Sequence, residues 1–188
     1  DRLKESKGAF LPLFFSSVLG ALVGALLLIK TPSKTFKDIV PFLIFFAVLM
    51  LALSEFIKGL LARFAIEDGR LHPLIPTGLQ FLTGVYGSYF GAGIGIMMLA
   101  SLTLSGIHNI HTANGIKNLL GFTINLIGAL IFVLSGKVSW PFALAMMPGF
   151  ALGGYMGARI SQRFRPKVVK AFVIGWGTLI GLYMLLIK

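Results

Sequence analysis

Long apolar runs, separated by short charged connections, constrain this chain more than any other feature. Because an α-helix rises about 1.5 Å per residue, roughly 20 apolar residues cross the ~30 Å hydrocarbon core of a bilayer. The six candidate runs are roughly Ala9–Ile29, Ile39–Ile57, Leu74–Leu104, Thr112–Leu134, Val138–Gly157 and Val168–Ile187. With 56% hydrophobic and only 12% charged residues, the chain has too few polar groups to cover that surface in water. The sequence therefore predicts an all-α, polytopic membrane helix bundle of about six membrane segments.

The charge balance and the missing cysteine narrow the function classes. Seventeen Lys and Arg face six Asp and Glu, which gives a formal net charge of +11. In a membrane protein such an excess is typical of loops held against anionic lipid, and it also favours small anions over nucleic acid as partners. Without cysteine there is no thiolate chemistry. His108 and His111 have no third ligand nearby and no catalytic motif is present, so we expect no enzyme, no metal site and no cofactor.

Counting basic residues under strict alternation of the six segments leaves the orientation open. The count is nine on one side and eight on the other. Five of them lie within residues 158–170, a single short connection, and this concentration favours a cytoplasmic position for it. We expect an inner-membrane protein with that connection inside.

The third run carries six glycines and is too long for one simple helix. A broken helix, a steep tilt and a re-entrant hairpin all fit Leu74–Leu104. On one interpretation, the glycine stripe serves close helix packing and nothing else. Alternatively, an unwound stretch could turn backbone N–H groups toward a cavity and bind an anion, with two tyrosine hydroxyls beside it. The residues concerned are Tyr86, Tyr89, Gly91, Gly93 and Gly95.

Three amides share one face of the fourth run. Asn114, Asn118 and Asn125 follow helical spacing, and such groups are costly toward lipid, so we expect them to face the bundle interior. They fit interhelical hydrogen bonding or a substrate-lining face. Lys117, beside this face, fits either a lysine that reaches the interface or a charge that attracts anions at a cavity mouth.

The last two runs suggest a packed glycine face and an internal repeat. Gly149, Gly153 and Gly157 lie four apart, for which we expect tight packing and no chemistry. A shift of 133 residues aligns residues 19–25, LGALVGA, with residues 152–158, LGGYMGA.

The repeat predicts two units, residues 1–71 and residues 72–188, of which the first is incomplete. We expect a fragment that lacks roughly 60 to 70 N-terminal residues of a two-repeat transporter. Parallel and inverted copies both remain open.

Acidic residues are almost absent from the apolar runs. Only Glu55 lies in one, near its end and one turn from Lys58. Cation carriers and proton relays usually place carboxylates at membrane depth. The sequence therefore favours an anionic or neutral polar solute.

Three stretches together resemble the sulfite exporter TauE/SafE family of bacterial permeases. They are Gly84–Gly95 (GVYGSYFGAGIG), Asn114–Asn125 (NGIKNLLGFTIN) continuing to Phe132, and Ser135–Phe164 (SGKVSWPFALAMMPGFALGGYMGARISQRF). Leu74–Lys188 is similar to the family's second half, and Ala9–Ile57 is similar to the end of its first half. Together these ranges would correspond to the C-terminal two-thirds to three-quarters of the family domain.

The resemblance implies a bacterial or archaeal inner-membrane permease, usually an exporter, for sulfite or organosulfonates. By the match, a substrate role falls on Gly91, Gly93, Gly95, Asn114, Lys117, Asn118 and Asn125. We expect alternating access between two repeats, with a possible homo-oligomer. The alternatives are a non-transporting membrane scaffold, including a truncated product, and a passive anion channel.

Overall fold

A computed structural model describes residues 2–66 and 72–186, with the side chains of residues 2–9, 64–66, 110 and 161 outside the description. The described chain forms eight α-helices. They are α1 Arg2–Lys30, α2 Ser33–Ala52, α3 Ser54–Ile66, α4 Leu74–Tyr89, α5 Ile94–Leu104, α6 Ile110–Leu134, α7 Trp140–Ser161 and α8 Pro166–Leu186. This confirms the prediction of a helical bundle.

Four of the helices are long and apolar enough to cross a membrane. They are Phe10–Lys30 within α1, α2, His111–Leu134 within α6, and α8. Helix α7, although 22 residues long, is not among them. The second predicted run, Ile39–Ile57, ends earlier than expected, because α2 stops at Ala52 and a separate helix starts at Ser54. The prediction of six segments is therefore only partly confirmed.

The third predicted run is a helical hairpin. Near the open end, Ser101 of α5 donates a hydrogen bond to Gln80 of α4. Near the tip, a Cβ added at Gly87 would lie 3.3 Å from Ile94 Cγ2. The two arms therefore run antiparallel, and the segment returns to the level at which it began. Helix α4 has 16 residues and is about 24 Å long, and α5 has 11 residues and is about 16 Å long, so each arm is also shorter than a full membrane span. Of the three forms that the sequence allowed, a single steeply tilted helix is excluded, and the segment is broken and returns as a hairpin.

The hairpin packs against α1 with almost no side chain between the two backbones. A Cβ added at Gly20 would collide with the carbonyl oxygen of Phe81, and one at Gly24 with that of Val85. From the other side, a Cβ at Gly84 would lie 2.9 Å from the Ser17 carbonyl oxygen. Lipid removes the hydrophobic drive between helices, so close backbone approach of this kind is a main source of stability.

Helices α5 and α6 complete this core, whose fully buried side chains interlock across three helices. They are Leu13 of α1, Met98 and Leu102 of α5, and Leu120 and Ile124 of α6. Lys137, just after α6, donates to the carbonyl of Ile29 near the end of α1. The ends of α1 and α6 therefore lie side by side.

Helices α2 and α8 form a second antiparallel contact. The ring of Phe45 lies 3.0 Å from a Cβ added at Gly181, and Val48 lies 2.7 Å from one added at Gly177. At the other end of the contact, Lys170 Nζ donates to the Ala52 carbonyl at 3.1 Å and to Ser54 Oγ at 2.9 Å.

Helix α7 lies open on the described structure. Its described side chains are exposed except for Ala143, which is half-buried. No atom lies within 4 Å of a Cβ added at Gly149, Gly153 or Gly157. The prediction that this glycine face is tightly packed is wrong for the described part of the chain, because no described helix lies against it.

Candidate functional site

The tip of the hairpin is an unwound stretch between two short helices. Helix α4 ends at Tyr89, and the N–H groups of Phe90 and Gly91 both donate to the Tyr86 carbonyl, at 2.9 and 3.1 Å. Gly91 has φ +86° and Gly93 has φ +81°, a left-handed conformation that side chains other than glycine rarely adopt. The backbone thus breaks where the sequence placed two of its predicted glycines.

A lysine and an amide lie beside the start of α5. A Cβ added at Gly95, in the first turn of α5, would lie 3.8 Å from Lys117 Cδ. Lys117 Nζ donates to Asn114 Oδ1 at 3.0 Å, one turn earlier on α6. Both side chains are partly buried. The structure thus brings together Gly95, Asn114 and Lys117, three of the predicted site residues, at the positive end of a helix dipole.

The two predicted tyrosines face a different environment. Tyr89 donates to Thr31 Oγ1 at 3.3 Å, at the end of α1. The Tyr86 ring packs edge-on against Phe46, with centroids 5.2 Å apart. Both tyrosines line an apolar cavity of about 360 Å³ among α1, α2, α4 and α5. None of the described hydrogen bonds joins either hydroxyl to Lys117 or Asn114.

Two hydroxyls in the last turns of α4 have no hydrogen-bond partner among the described residues. They belong to Tyr86 and Ser88, and both oxygens are buried. The Ser88 Oγ lies 2.8 Å from a Cβ added at Gly128, so α6 approaches it closely. A buried polar group without a partner costs about 1–3 kcal/mol, and such groups are often retained where function needs them. Ser88 was not among the site residues predicted from the sequence, although it lies inside the glycine-rich stretch.

The amide face of α6 is turned away from the core. Asn118 and Asn125 are exposed, and Asn125 Nδ2 donates to the carbonyl of Gly121 in its own helix at 2.9 Å. Leu120 and Ile124 occupy the inner face and are fully buried. The expectation that all three amides face the described bundle is therefore wrong for these two, because the apolar face takes up the contact with α1, α4 and α5.

A buried polar network was not expected from the sequence. Gln80 Nε2 donates to Ser17 Oγ at 2.8 Å, and Ser101 Oγ donates to Gln80 Oε1 at 2.6 Å. All three residues are fully buried. The network joins α1, α4 and α5 below the hairpin tip. A signal was available, since Gln80 lies one helical turn before Gly84, on the face that meets α1.

Glu55 lies on α3, outside the long apolar helix that precedes it. It is exposed and pairs with Lys58, with a Glu55 Oε1 to Lys58 Nζ distance of 3.0 Å. The hydrogen bond and the charge of Lys58 lower the pKa of Glu55 below its ordinary value of 4.5. The one acidic residue predicted near membrane depth is thus an ordinary surface ion pair.

Comparison with known proteins adds independent information. A model of the family described as sulfite exporter TauE/SafE matches residues 3–184. The chain is 30% identical over 166 residues to the probable membrane transporter protein ORF9 of Sinorhizobium sp, covering 87% of this chain and 61% of that protein. It is 29% identical over 157 residues to a probable membrane transporter protein of Haemophilus influenzae, covering 83% of this chain and 60% of that protein. It is 30% identical over 167 residues to the probable membrane transporter protein YfcA of Escherichia coli K12, covering 83% of this chain and 56% of that protein. No solved structure matches.

These matches also bear on the extent of the resemblance. The chain spans about three fifths of the length of the relatives described. The family match runs almost from one end of the chain to the other, at residues 3–184. It does not support the finer prediction that the chain corresponds only to the C-terminal two-thirds to three-quarters of the family domain.

Proposed function

Because this chain belongs to the sulfite exporter TauE/SafE family, we propose that it forms part of an inner-membrane permease that carries a small anion. The family name and the basic character of the chain favour sulfite or an organosulfonate as the solute, with export as the direction. Alternating access between two repeats is the proposed mechanism.

The observation that carries this proposal is a partly buried lysine whose described hydrogen bond goes to a neutral amide. Lys117 is partly buried and donates to Asn114, a neutral amide. From residue 69 to residue 188 the sequence contains no Asp or Glu, so helices α4–α8 offer no carboxylate to neutralise this charge. Cationic side chains inside membrane segments are costly, and they are usually retained for function. An anionic solute at this position would supply a counter-charge that helices α4–α8 do not provide.

The hairpin tip supplies further donors at the same place. The first turn of an α-helix leaves backbone N–H groups without an acceptor in the helix, and the helix dipole adds a partial positive charge. In α5 this turn begins at Ile94, directly after the break, and includes Gly95, which lies against the Lys117 stem. Backbone N–H groups and one ammonium group together suit a small oxyanion.

Asn118 and Asn125 fit a wall of the transport path. Both are exposed on α6, a helix apolar enough to cross a membrane. Amides that face hydrocarbon are costly, so the exposed face of α6 is better matched by a water-filled path or by further polypeptide.

Flux of radiolabelled sulfite in proteoliposomes tests the role of Lys117. We expect Lys117→Met to reduce the initial rate about 10- to 100-fold, because it removes the charge-assisted contact to the anion. Lys117→Arg keeps the charge and should retain part of the rate. Lys34→Met, which removes an exposed lysine at the start of α2, is the control. Equal flux in the Lys117→Met protein and the wild type would contradict the proposal.

The amides give a second, independent arm of the same measurement. We expect Asn118→Leu and Asn125→Leu to abolish flux while the protein still accumulates in the membrane. Thr123→Val is the control, since Thr123 also bonds only a carbonyl of its own helix. Wild-type flux in both leucine variants would reduce the amides to packing groups. Saturation and counterflow would separate a carrier from a channel, and absence of any flux in the wild type would favour a scaffold.

A further inference from the structure

A lysine side chain lies at the break between α2 and α3. Helix α2 ends at Ala52, Leu53 interrupts the helical pattern, and α3 begins at Ser54. In a continuous helix the Ala52 carbonyl would accept from the N–H group four residues later. Here it accepts from Lys170 Nζ of α8 at 3.1 Å, and the same ammonium group donates to Ser54 Oγ at 2.9 Å. One side chain of α8 thus holds the last residue of α2 and the first residue of α3.

The contacts of this lysine lie partly inside the protein. Ser54 is buried, with 4% of its surface exposed, and Lys170 is half-buried. A charged group taken out of solvent is tolerated where it is hydrogen-bonded, and a cation is favoured at the C-terminal end of a helix, where the dipole is negative. Loss of the ammonium group would remove this donor from both the Ala52 carbonyl and the Ser54 hydroxyl. The angle of the bend between α2 and α3 therefore depends on Lys170.

The bend leads from one packed unit of the molecule to another. Helix α2 packs against α8, where Val48 lies 2.7 Å from a Cβ added at Gly177. Helix α3 packs against α5, the second arm of the hairpin. The first turn of α5 includes Gly95, which lies beside Lys117 of α6. The bend at Leu53 therefore joins the α2–α8 pair to the helix that carries the proposed anion site.

Helix α2 also touches the hairpin directly, through apolar groups. Phe46 packs edge-on against Tyr86, and Ala47 Cα lies 3.7 Å from a Cβ added at Gly93. Packed helices can slide past one another by small amounts, whereas a hinge absorbs movement at a few residues at the end of an element. The hydrogen bonds of Lys170 are directional and lie at one such position. This lysine is thus placed to transmit a movement of the α2–α8 pair to α3 and α5.

We propose that Lys170 is a positioning residue for transport. It fixes the angle between α2 and α3, and through α3 it sets the position of α5 and of the anion site in its first turn. It acts through the bend and not by contact with the anion. The role in transport rests on the permease function proposed above, whereas the role in fixing the bend does not.

Spin-label distances across the bend test the role in fixing it. The 188-residue sequence contains no cysteine, so labels can be attached through Leu49→Cys on α2 and Leu60→Cys on α3, at two exposed positions. In the full polypeptide, reconstituted in liposomes, we expect double electron–electron resonance to give one narrow distance distribution. Lys170→Met should widen this distribution about twofold, because the bend loses its directional bonds. An unchanged width would overturn the proposal.

Two further variants calibrate the width. Lys167→Met removes an exposed lysine whose side chain makes none of the described hydrogen bonds, and it should leave the distribution unchanged. Equal widening by Lys167→Met and Lys170→Met would assign the effect to general loss of charge and would overturn the proposal. Ser54→Ala removes one of the two acceptors and should give an intermediate width. If Lys170→Met does not fold, an unchanged width in Ser54→Ala would overturn the proposal in its place.

Sulfite flux per folded molecule tests the role in transport. We expect Lys170→Met to lower the maximal rate about 5- to 10-fold while KM changes by less than about twofold, because the groups proposed to contact the anion stay in place. Lys170→Arg keeps donors for both oxygens and should restore most of the rate. A purely structural role would lower the amount of folded protein and leave the rate per folded molecule unchanged, and that result would overturn the proposal.

The two measurements fail separately. A rise in KM as large as the fall in maximal rate would indicate contact with the anion and would overturn the positioning role. Absence of any flux in the wild type would overturn the permease function and the role of Lys170 in transport with it. The distance measurement needs no transport activity, so it still decides whether Lys170 fixes the bend.

Discussion

Helices α1 and α7 carry the same small-residue pattern and have opposite surroundings. On α1 the pattern is buried against the hairpin, with Gly20 and Gly24 at the backbone of α4. On α7 the pattern is exposed, with nothing near Gly153 and Gly157. The pattern therefore specifies a surface that a helix backbone can approach, whereas the identity of the partner depends on what the rest of the polypeptide provides.

The largest expected effect separates the two helices directly. Gly24→Leu forces a side chain into the Val85 carbonyl, and relief requires α1 and α4 to move apart. We expect a loss of about 3 kcal/mol or more in the free energy of unfolding of the 188-residue chain. Gly157→Leu in the same chain meets open space and should change it by less than about 0.5 kcal/mol. Thermal unfolding in detergent micelles measures both. Equal damage from the two substitutions would show that α7 is already packed.

A smaller effect concerns the buried hydrogen bonds of Gln80, which join α1 to the hairpin and have no equivalent on α7. Gln80→Leu removes both bonds of the buried amide, while Ser17 and Ser101 keep their bonds to carbonyls of their own helices. We expect a loss of about 1–2 kcal/mol in the free energy of unfolding. Helix α7 has Phe150 in place of Ser17, so no equivalent bond is possible there.

A double-mutant cycle makes this second prediction specific. Gln80→Leu and Ser17→Ala should be non-additive, because they remove the same bond. Phe150→Ala on the exposed α7 face is the matched control and should have little effect on the 188-residue chain. Additive losses would show that the two side chains do not interact.

The smallest effect lies at the junction of α2 and α3, near the contact with α8. Lys58, and more weakly Lys170 and Lys167, hold the pKa of Glu55 below 4.5 in the folded chain. A lowered pKa stabilises the folded state above pH 4.5, and this contribution is lost as the pH falls through the folded-state value. The pair is exposed, so we expect only a slight decrease in the thermal midpoint for Glu55→Gln at pH 6–7. The difference should vanish near pH 3, and a difference that grows on acidification would contradict this assignment.

Much of the fold could be predicted from the sequence, because membrane helices are identified by their length and apolar content. Helices α6 and α8 were predicted within a few residues, and the break at Gly91 and Gly93 lies inside the glycine-rich stretch. Tertiary partners were less accessible. Asn118 and Asn125 share a helix face, but only the folded chain shows that Leu120 and Ile124 take the contact with the core. The Gln80 network likewise depends on which helices meet.

The hairpin also explains why the count of basic residues was undecided. Strict alternation treated Leu74–Leu104 as one crossing, whereas α4 and α5 go in and return. With that change, the start of α1, helix α3 and the α7–α8 connection fall on one side. Among the residues that the structure describes, and leaving aside Lys117 inside α6, that side has Arg2, Lys4, Lys7, Lys58, Arg63, Arg159, Arg163, Arg165, Lys167 and Lys170, and the other has Lys30, Lys34, Lys37 and Lys137. Ten against four predicts that the α7–α8 connection is cytoplasmic.

The returning course of α4 and α5 has a consequence for energetics. Because neither arm is long enough to cross the hydrocarbon core, the chain unwinds at Gly91 and Gly93 partway through it. Unwound backbone at this depth is stable only where polypeptide or solvent, and not lipid, surrounds it.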